Sequence, residues 1–318
     1  MTGSLAVVFP GQGSQSLGML AELAAAYPVV GETFSEASAV LGEDLWALTQ
    51  TGPEARLNRT DRTQPAMLAA GVAVWRVWRE AGGAEPALMA GHSLGEYTAL
   101  VCADALDFTD AVRLVALRGA LMQEAVPEGE GGLAAILGLD DATIEGVCAE
   151  VMAGLNEGLV TPINYNTPGQ VVIAGSRAAV DLAIDAARAA GAKRAVPLAL
   201  SVPPHCALMR PAAERLAEAL GALTFMTPRV PVVHNLDATL AAGPEAIRER
   251  LIRHLECPVR WSQCVSVMAD HGVTTLVECG PGKALTGMAR RIDKRLRGIC
   301  VHDPASLDAA LADEGMRA

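Results

Sequence analysis

The segment Leu88–Tyr97, LMAGHSLGEY, constrains the fold of this chain more than any other. It places Ser93 between Gly91 and Gly95, after an apolar run that predicts a strand and before small residues that predict a helix over 94–103. Strand, tight G-x-S-x-G turn and helix together are typical of a nucleophile elbow. Glycine has no Cβ, so strand and helix can approach closely while the serine stays accessible. The alternative is a serine that only caps the helix; the flanking elements favour a nucleophile.

Strands alternate with helices on both sides of this segment, which is typical of a parallel sheet covered by helices. Further strands of this sheet are predicted at Leu5–Phe9 and at 273–280. Asp107 is a predicted N-cap of the helix that continues to about residue 126. Other helices are predicted over 17–27, 28–41, 63–81, 208–220, 245–255, 261–271 and 283–295.

The order of predicted strands and helices is different between residues 128 and 199. The order there is strand, helix, two strands, helix, strand, which is the ferredoxin-like pattern. The predicted elements are 133–139, 140–154, 159–165, 170–175, 176–191 and 193–199. We therefore expect an α/β fold in which a hydrolase-like parallel-sheet large subdomain, 1–127 and 200–318, carries an inserted ferredoxin-like small subdomain, 128–199.

Composition excludes several classes of function. Of 318 residues, 51% are hydrophobic and 19% charged, so a large core can form. A net charge of −11 and only 3% aromatic residues argue against a nucleic-acid binder. No apolar run predicts a membrane span or a signal peptide. The seven cysteines are scattered without metal-ligand spacing, which favours reduced thiols in a cytoplasmic protein and no bound metal.

A nucleophilic serine needs a base, and six histidines are available. His92 precedes the serine on a strand, so its side chain is expected on the other face. His205 lies in SVPPHCALM, at a loop-to-helix transition just after the small subdomain, where catalytic groups commonly lie. Spacing alone does not choose among His205 and the four remaining histidines.

Arginine on an apolar helix has two interpretations. Arg118 lies in RLVALRGALMQ, and Arg113 is its alternative five residues earlier. Such a residue either reaches the surface along its aliphatic stem or clamps a carboxylate in a buried site. The residue pattern alone favours the surface position.

Several motifs, taken together and in order from about residue 5 to 300, resemble the malonyl-CoA:acyl-carrier-protein transacylases of dissociated fatty-acid synthesis. Each motif alone is modest, and their collinear set carries the resemblance. The motifs are FPGQGSQ (9–15), TQPA (63–66), GHSLGEYTALV (91–101), the residues from Arg118 to Pro127, NTPGQVVIAG (166–175), AKRA (192–195), SVPPHCALM (201–209) and ECGPGKALTG (278–287).

The resemblance implies a role for each matching position. Ser93 would form a malonyl ester, and His205 would be the general base and later the acid. The backbone N–H groups of Gln12 and Leu94 would form the oxyanion hole. Arg118 would hold the malonyl carboxylate through two parallel hydrogen bonds, which reverses the preference for a surface position. The remaining implied positions are Gln64 and Asn164 near the acyl pocket, the His254 backbone carbonyl that orients His205, and Lys193 and Arg194 as contacts to CoA or carrier protein.

The resemblance also implies malonyl-CoA and acyl carrier protein as partners, no cofactor and a monomer in the cytoplasm. Transfer through an acyl-serine needs a base that titrates near neutrality and preorganised oxyanion donors. Basic patches would meet the acidic carrier protein despite the negative net charge of the chain. Alternatives are a hydrolase with the same elbow, a non-catalytic docking module, and an acyltransferase of polyketide assembly.

Three positions depart from the family pattern. Pro204 stands before the histidine where serine is usual, which removes a donor and fixes φ. His254 stands where glutamine is common, although a backbone carbonyl survives that change. Cys257 stands where asparagine is frequent, and nothing in the sequence explains it.

Overall fold

The computed structural model describes residues 4–198, 202–313 and 315–318. The strands are β1 (Ser4–Phe9), β2 (Leu88–Gly91), β3 (Gly131–Leu137), β4 (Val160–Thr167), β5 (Gln170–Ser176), β6 (Arg194–Pro197), β7 (Val232–Val233), β8 (Val273–Cys279) and β9 (Arg297–Val301). The α-helices are α1 (Ala21–Ala26), α2 (Pro28–Leu41), α3 (Leu45–Thr51), α4 (Glu54–Leu57), α5 (Thr60–Glu80), α6 (Gly95–Cys102), α7 (Phe108–Ala125), α8 (Asp141–Ala153), α9 (Arg177–Ala189), α10 (Arg210–Ala222), α11 (Pro244–His254), α12 (Trp261–Asp270), α13 (Thr286–Ile292) and α14 (Pro304–Ala312).

The larger sheet has the strand order β7-β2-β1-β8-β9, and all of its strand pairs are parallel. Its central strands are buried on both faces, as their continuous apolar sequence predicts. Phe9 pairs with Gly91, so β1 and β2 end side by side. The loop after β1 and the turn after β2 therefore meet at the carboxyl edge of the sheet, where ligands bind in open α/β sheets.

The smaller sheet is antiparallel with the order β4-β5-β3-β6. Helices α8 and α9 pack against one of its faces around Ile136, Val171 and Ile173. The other face carries Leu133 and Val172, which line a cavity shared with the larger sheet. This arrangement confirms the predicted fold class, a parallel-sheet unit combined with a ferredoxin-like unit.

Some element boundaries differ from the sequence predictions. The predicted helix 283–295 is wrong at both ends: α13 begins at Thr286, and β9 follows it as an edge strand paired with β8. Helix α1 begins only at Ala21 because Leu20 has a left-handed backbone, with φ of 62°. The predicted subdomain boundary at 199/200 lies outside the described residues.

Among the described residues, no helix combines the length and the apolar character needed to cross a membrane.

Candidate active site

The turn between β2 and α6 holds Ser93 in a left-handed conformation with φ of 52°. A non-glycine residue in that region costs about 1–3 kcal/mol, so the surrounding structure must enforce it. A Cβ on Gly91 would lie 1.9 Å from the carbonyl carbon of Gly95, and one on Gly95 would lie 2.1 Å from the carbonyl oxygen of Phe9. Both positions therefore require glycine, and the tight approach that they permit exposes the serine at the sheet edge.

Ser93 and His205 form a hydrogen-bonded pair, with Ser93 Oγ 2.7 Å from His205 Nε2. On the other side of the ring, His205 Nδ1 lies 2.8 Å from the backbone carbonyl oxygen of His254. Because a carbonyl only accepts, the proton of the neutral ring belongs on Nδ1, and Nε2 is free to accept from the serine hydroxyl. The geometry is that of a nucleophile, a base and a group that orients the base.

The electrostatic surroundings of His205 favour its neutral form. Burial, and secondly the positive charge of Arg118, lower the pKa of His205 to about 3. The expectation of a base that titrates near neutrality therefore does not describe the free site. The ring is unprotonated at neutral pH and ready to accept a proton, and a bound anion that offsets Arg118 would remove one cause of the low pKa.

Two backbone N–H groups near Ser93 are available to form an oxyanion site. Leu94 directly precedes α6, and Gln12 lies in the loop after β1; both residues line the cavity that holds Ser93. Within the described part of the chain, neither backbone N–H donates a hydrogen bond. Free donors at a helix start suit a developing negative charge.

Arg118 lies in the wall of the same cavity and is only 2% exposed. Helix α7 packs closely on α5 there, since a Cβ on Gly119 would lie 2.6 Å from the carbonyl oxygen of Thr60. The surface position that the pattern favours for Arg118 is therefore wrong. Arg113 is the exposed arginine of this helix, and it pairs with Asp110 at 3.1 Å.

The guanidinium of Arg118 donates to the Gln64 Oε1 atom at 2.9 Å, and its Cζ atom lies 5.6 Å from the centroid of the Tyr97 ring. No carboxylate in the described ranges forms an ion pair with it. Burial without such a partner lowers the pKa of Arg118. A buried cation with unused donors is a ready site for a substrate carboxylate.

Gln64 and Asn164 occupy different places relative to the cavity. Gln64 is buried behind Arg118, with its Nε2 atom 3.2 Å from Met122 Sδ, and does not line the cavity itself. Asn164 lines the cavity, and its buried Oδ1 atom has no hydrogen-bond partner in the described chain. The cavity has a volume of about 810 Å³ and is walled on the side of the smaller sheet by Leu133, Ala135 and Val172.

The structure brings some of the remaining predicted residues near the site and leaves others apart. His92 lines the cavity rather than the opposite face, because the strand ends at Gly91, and its Nε2 atom bonds Asn166 Oδ1 at 2.8 Å. Pro204 also lines the cavity. Lys193 and Arg194 are exposed, away from Ser93; Lys193 shares a surface cleft with Arg291, which also borders the main cavity. Nothing in the structure explains Cys257, whose thiol is free and half-buried.

Three polar residues behind the elbow were not predicted from the sequence. Asn235 accepts a hydrogen bond from the Ser93 N–H at 2.7 Å. Glu96, completely buried on α6, accepts from the Asn235 N–H at 2.8 Å and is 2.7 Å from His234 Nδ1. These contacts join residues about 140 positions apart, so no local motif marks them. The one available signal was Glu96 itself, a charged residue at the start of an otherwise apolar helix.

Comparison with known proteins agrees with this geometry. Residues 6–297 match the family of acyl transferase domains. The chain is 59% identical over 306 residues to the malonyl CoA-acyl carrier protein transacylase of Salmonella typhimurium, covering 96% of this chain and 98% of that protein. It is 44% identical over 307 residues to the transacylase of the same name from Bacillus subtilis, covering 96% of each.

Solved structures give the same result. A malonyl-transacylase in complex with a holo type II PKS acyl-carrier protein matches with a TM-score of 0.95 and 58% identity, over 97% of this chain and 99% of that one. An acyl carrier protein S-malonyltransferase from Vibrio cholerae matches with a TM-score of 0.93 and 56% identity, over 96% of this chain and 99% of that one.

Proposed function

We propose a reaction and a mechanism from the premise that this chain belongs to the acyl transferase domain family, which residues 6–297 match. The chain is a malonyl-CoA:acyl carrier protein transacylase, as the full-length relatives at 59% and 44% identity are. It transfers the malonyl group to the phosphopantetheine thiol of acyl carrier protein. We assign that transfer to Ser93, His205 and Arg118.

In the first half-reaction, Ser93 Oγ attacks the thioester carbonyl of malonyl-CoA while His205 Nε2 accepts the hydroxyl proton. The carbonyl oxygen becomes an oxyanion facing the N–H groups of Gln12 and Leu94, and each such donor is typically worth about 3 kcal/mol. The C–S bond then breaks, CoA leaves as the thiol with the proton from His205, and a malonyl ester remains on Ser93.

In the second half-reaction, the phosphopantetheine thiol gives its proton to His205 Nε2 and attacks the serine ester. The tetrahedral intermediate collapses, the proton returns to Ser93 Oγ, and malonyl carrier protein is released. This ping-pong exchange converts one thioester into another, so it needs neither a redox cofactor nor a metal.

One observation carries the assignment of malonyl as the acyl group. Arg118 is buried, lines the cavity that holds Ser93, and has no ion pair with a carboxylate of the described ranges. The free carboxylate of malonate supplies that counter-ion in bidentate form. Gln64 fixes one guanidinium nitrogen from behind, and Asn164 offers a polar group on the cavity wall.

We further propose that the enzyme supplies extender units for fatty-acid biosynthesis, as a monomer in the cytoplasm. The side chains assigned above are all supplied by one chain, so the proposed chemistry requires no residue from a second copy. Seven free, scattered cysteines suit a reducing compartment. The exposed Lys193 and Arg194 are proposed to contact CoA or the acidic carrier protein, and such contacts would weaken with salt.

Replacing the nucleophile tests the mechanism directly. Mixing the protein with malonyl-CoA should add the mass of one malonyl group, and Ser93→Ala should abolish that addition in intact-protein mass spectrometry. An adduct that persists in Ser93→Ala would place the nucleophile elsewhere. Rapid release of free malonate without carrier protein would identify a hydrolase, and carrier binding without any adduct in the parent would identify a docking module.

A second candidate keeps the chemistry and changes the pathway. The match to a malonyl-transacylase solved with a type II PKS carrier protein favours polyketide assembly as the alternative. Comparing transfer rates to carrier proteins of the two pathways, at equal concentration and salt, distinguishes them.

A further inference from the structure

We propose that Asn235 is a positioning residue for the reaction: its carboxamide clamps the two peptide groups that flank His92 and so holds the nucleophile elbow in its reactive shape. This inference rests on the proposed function, since it concerns the delivery of Ser93 to a thioester. Asn235 touches no reacting atom, and it acts through the backbone of Ser93.

The clamp consists of two hydrogen bonds from one side chain. Asn235 Oδ1 accepts from the Ser93 N–H at 2.7 Å, and Asn235 Nδ2 donates to the Gly91 carbonyl oxygen at 2.8 Å. One carboxamide thus joins the last residue of β2 to the nucleophile two residues later. Because a backbone N–H can only donate and a carbonyl can only accept, the orientation of the amide is fixed by its partners.

Asn235 is itself held on both sides of its backbone. Its N–H donates to Glu96 Oε2 at 2.8 Å, and its carbonyl oxygen accepts from the Arg260 N–H at 3.0 Å. The residue is completely buried, and its four polar groups all have partners. A side chain fixed in this way can keep Ser93 in a backbone conformation that non-glycine residues seldom adopt.

The clamp also decides which donors face the substrate. Three backbone N–H groups lie around the elbow, those of Ser93, Leu94 and Gln12. Asn235 occupies the first, while the other two line the cavity without an acceptor among the described residues. The thioester carbonyl therefore meets only the pair from Leu94 and Gln12, and Ser93 contributes its hydroxyl alone.

Only asparagine supplies a donor and an acceptor at this length. Asn235→Ala removes both hydrogen bonds and leaves the Ser93 N–H and the Gly91 carbonyl unpaired. Asn235→Asp keeps the shape, but the ionised carboxylate faces the Gly91 carbonyl as a second acceptor. When protonated, the same carboxyl can donate to Gly91 and accept from Ser93, which restores the clamp.

The first measurement is the rate at which Ser93 acquires malonyl from malonyl-CoA, followed by quenching and intact-protein mass spectrometry. For Asn235→Ala, we expect a maximal loading rate about tenfold to a hundredfold lower. The malonyl-CoA concentration at half-maximal rate should change little, because Arg118 is untouched. The matched control is Thr275→Val on β8, which removes the part-buried hydrogen bond that Thr275 Oγ1 accepts from Arg297 of β9 and should load at the parental rate.

The second measurement is the pH dependence of loading, per folded molecule, in Asn235→Asp. Burial raises the pKa of the introduced carboxyl, and the adjacent Glu96 carboxylate acts in the same direction. Loading by this variant should therefore fall as pH rises from about 5 to about 9, whereas loading by the parent should not. The titratable and charged residues that contact this position or its immediate partners are Glu96, His234, His254, His205, Cys264 and Arg260.

The outcomes separate this inference from the proposed function. If the parent forms no malonyl adduct, the proposed function fails, whatever the Asn235 variants do. If the parent loads and Asn235→Ala loads equally fast, the clamp is overturned. Should Asn235→Ala not fold, Asn235→Asp decides: a pH profile parallel to that of the parent overturns the clamp, and a fall with rising pH supports it.

Discussion

The two ends of the cavity differ in how completely the chain satisfies its own polar groups. At the Ser93 end, the hydroxyl, the imidazole and the two peptide groups that flank His92 have protein partners at 2.7–2.8 Å, and the Gln12 and Leu94 N–H groups are left for the substrate. At the Arg118 end, a buried cation has the neutral partners Gln64 and Tyr97, and no ion pair with a carboxylate of the described ranges. The first end is assembled before substrate arrives, and the second is completed by the substrate.

The Ser93 end therefore provides reactivity towards thioesters, and the Arg118 end provides selection of the acyl group. The polar groups around Ser93 can act on any thioester that reaches them, because they recognise only the carbonyl. Arg118 recognises the far end of the acyl group, and its unsatisfied charge penalises an acyl group that brings no carboxylate. Each of the following variants acts mainly on one of the two ends.

Removing the base should have the largest effect. His205→Ala is expected to slow malonyl loading by about 10³- to 10⁴-fold, because nothing then accepts the Ser93 proton. The loss should be equal for malonyl-CoA and acetyl-CoA, measured by adduct formation over time. A loss confined to malonyl-CoA would show that His205 serves the selective end instead.

Removing the arginine that binds the carboxylate should act mainly on one substrate. Arg118→Ala is expected to slow malonyl loading by about a hundredfold, since a buried charge-assisted pair is lost, and to affect acetyl loading far less. Arg113→Ala is the matched control on the same helix, where the exposed pair with Asp110 should matter little. Equal losses for the two substrates in Arg118→Ala would contradict the assignment.

The smallest effect is on stability in acid. The unfolded chain protonates His205 near its ordinary pKa of 6.5, but the folded protein does so only near 3. The unfolded state therefore binds more protons between these values. As pH is lowered through this range, the free energy of unfolding decreases by up to about 1.4 kcal/mol per pH unit from this residue. His205→Asn should reduce that slope in chemical denaturation series, and Arg118→Gln should reduce it less.

A substitution that removes no titratable group provides the control for this experiment. Thr275→Val should leave the slope of the unfolding free energy against pH unchanged. A parental slope in His205→Asn would show that the buried ring does not resist protonation as its surroundings indicate. His92 and His254 contribute in the same direction, because burial lowers the pKa of each.

The sequence predicted the elbow well because its determinants are local. Two glycines, an apolar run and a helix start within ten residues fix the shape of the turn, and the structure has the strand, the turn and the helix there. The ferredoxin-like unit was predictable for the same reason, since its six elements follow one another along the chain. The choice between Arg118 and Arg113 was not local, because it depends on which face of α7 packs on α5.

Contacts across the chain explain the remaining misses. The pairing of Ser93 with His205 joins positions 112 residues apart, and spacing alone did not select it among the other histidines. Asn235 and Glu96 act through bonds between elements that meet only in the folded sheet. The strand β9 was missed because its edge position leaves Arg297 and Gly298 exposed, so its sequence lacks the apolar run of a central strand.

The two elbow glycines also determine where variation can occur. A side chain at either position would collide with backbone, so the point of attack is anchored to β1 and β2 whatever else in the chain diverges. Tolerance of larger or smaller acyl groups must therefore arise from the walls, at positions such as Met122, Val172 and Leu198. Directed evolution of acyl preference in this protein can therefore vary the residues of the cavity wall while the position of Ser93 stays fixed.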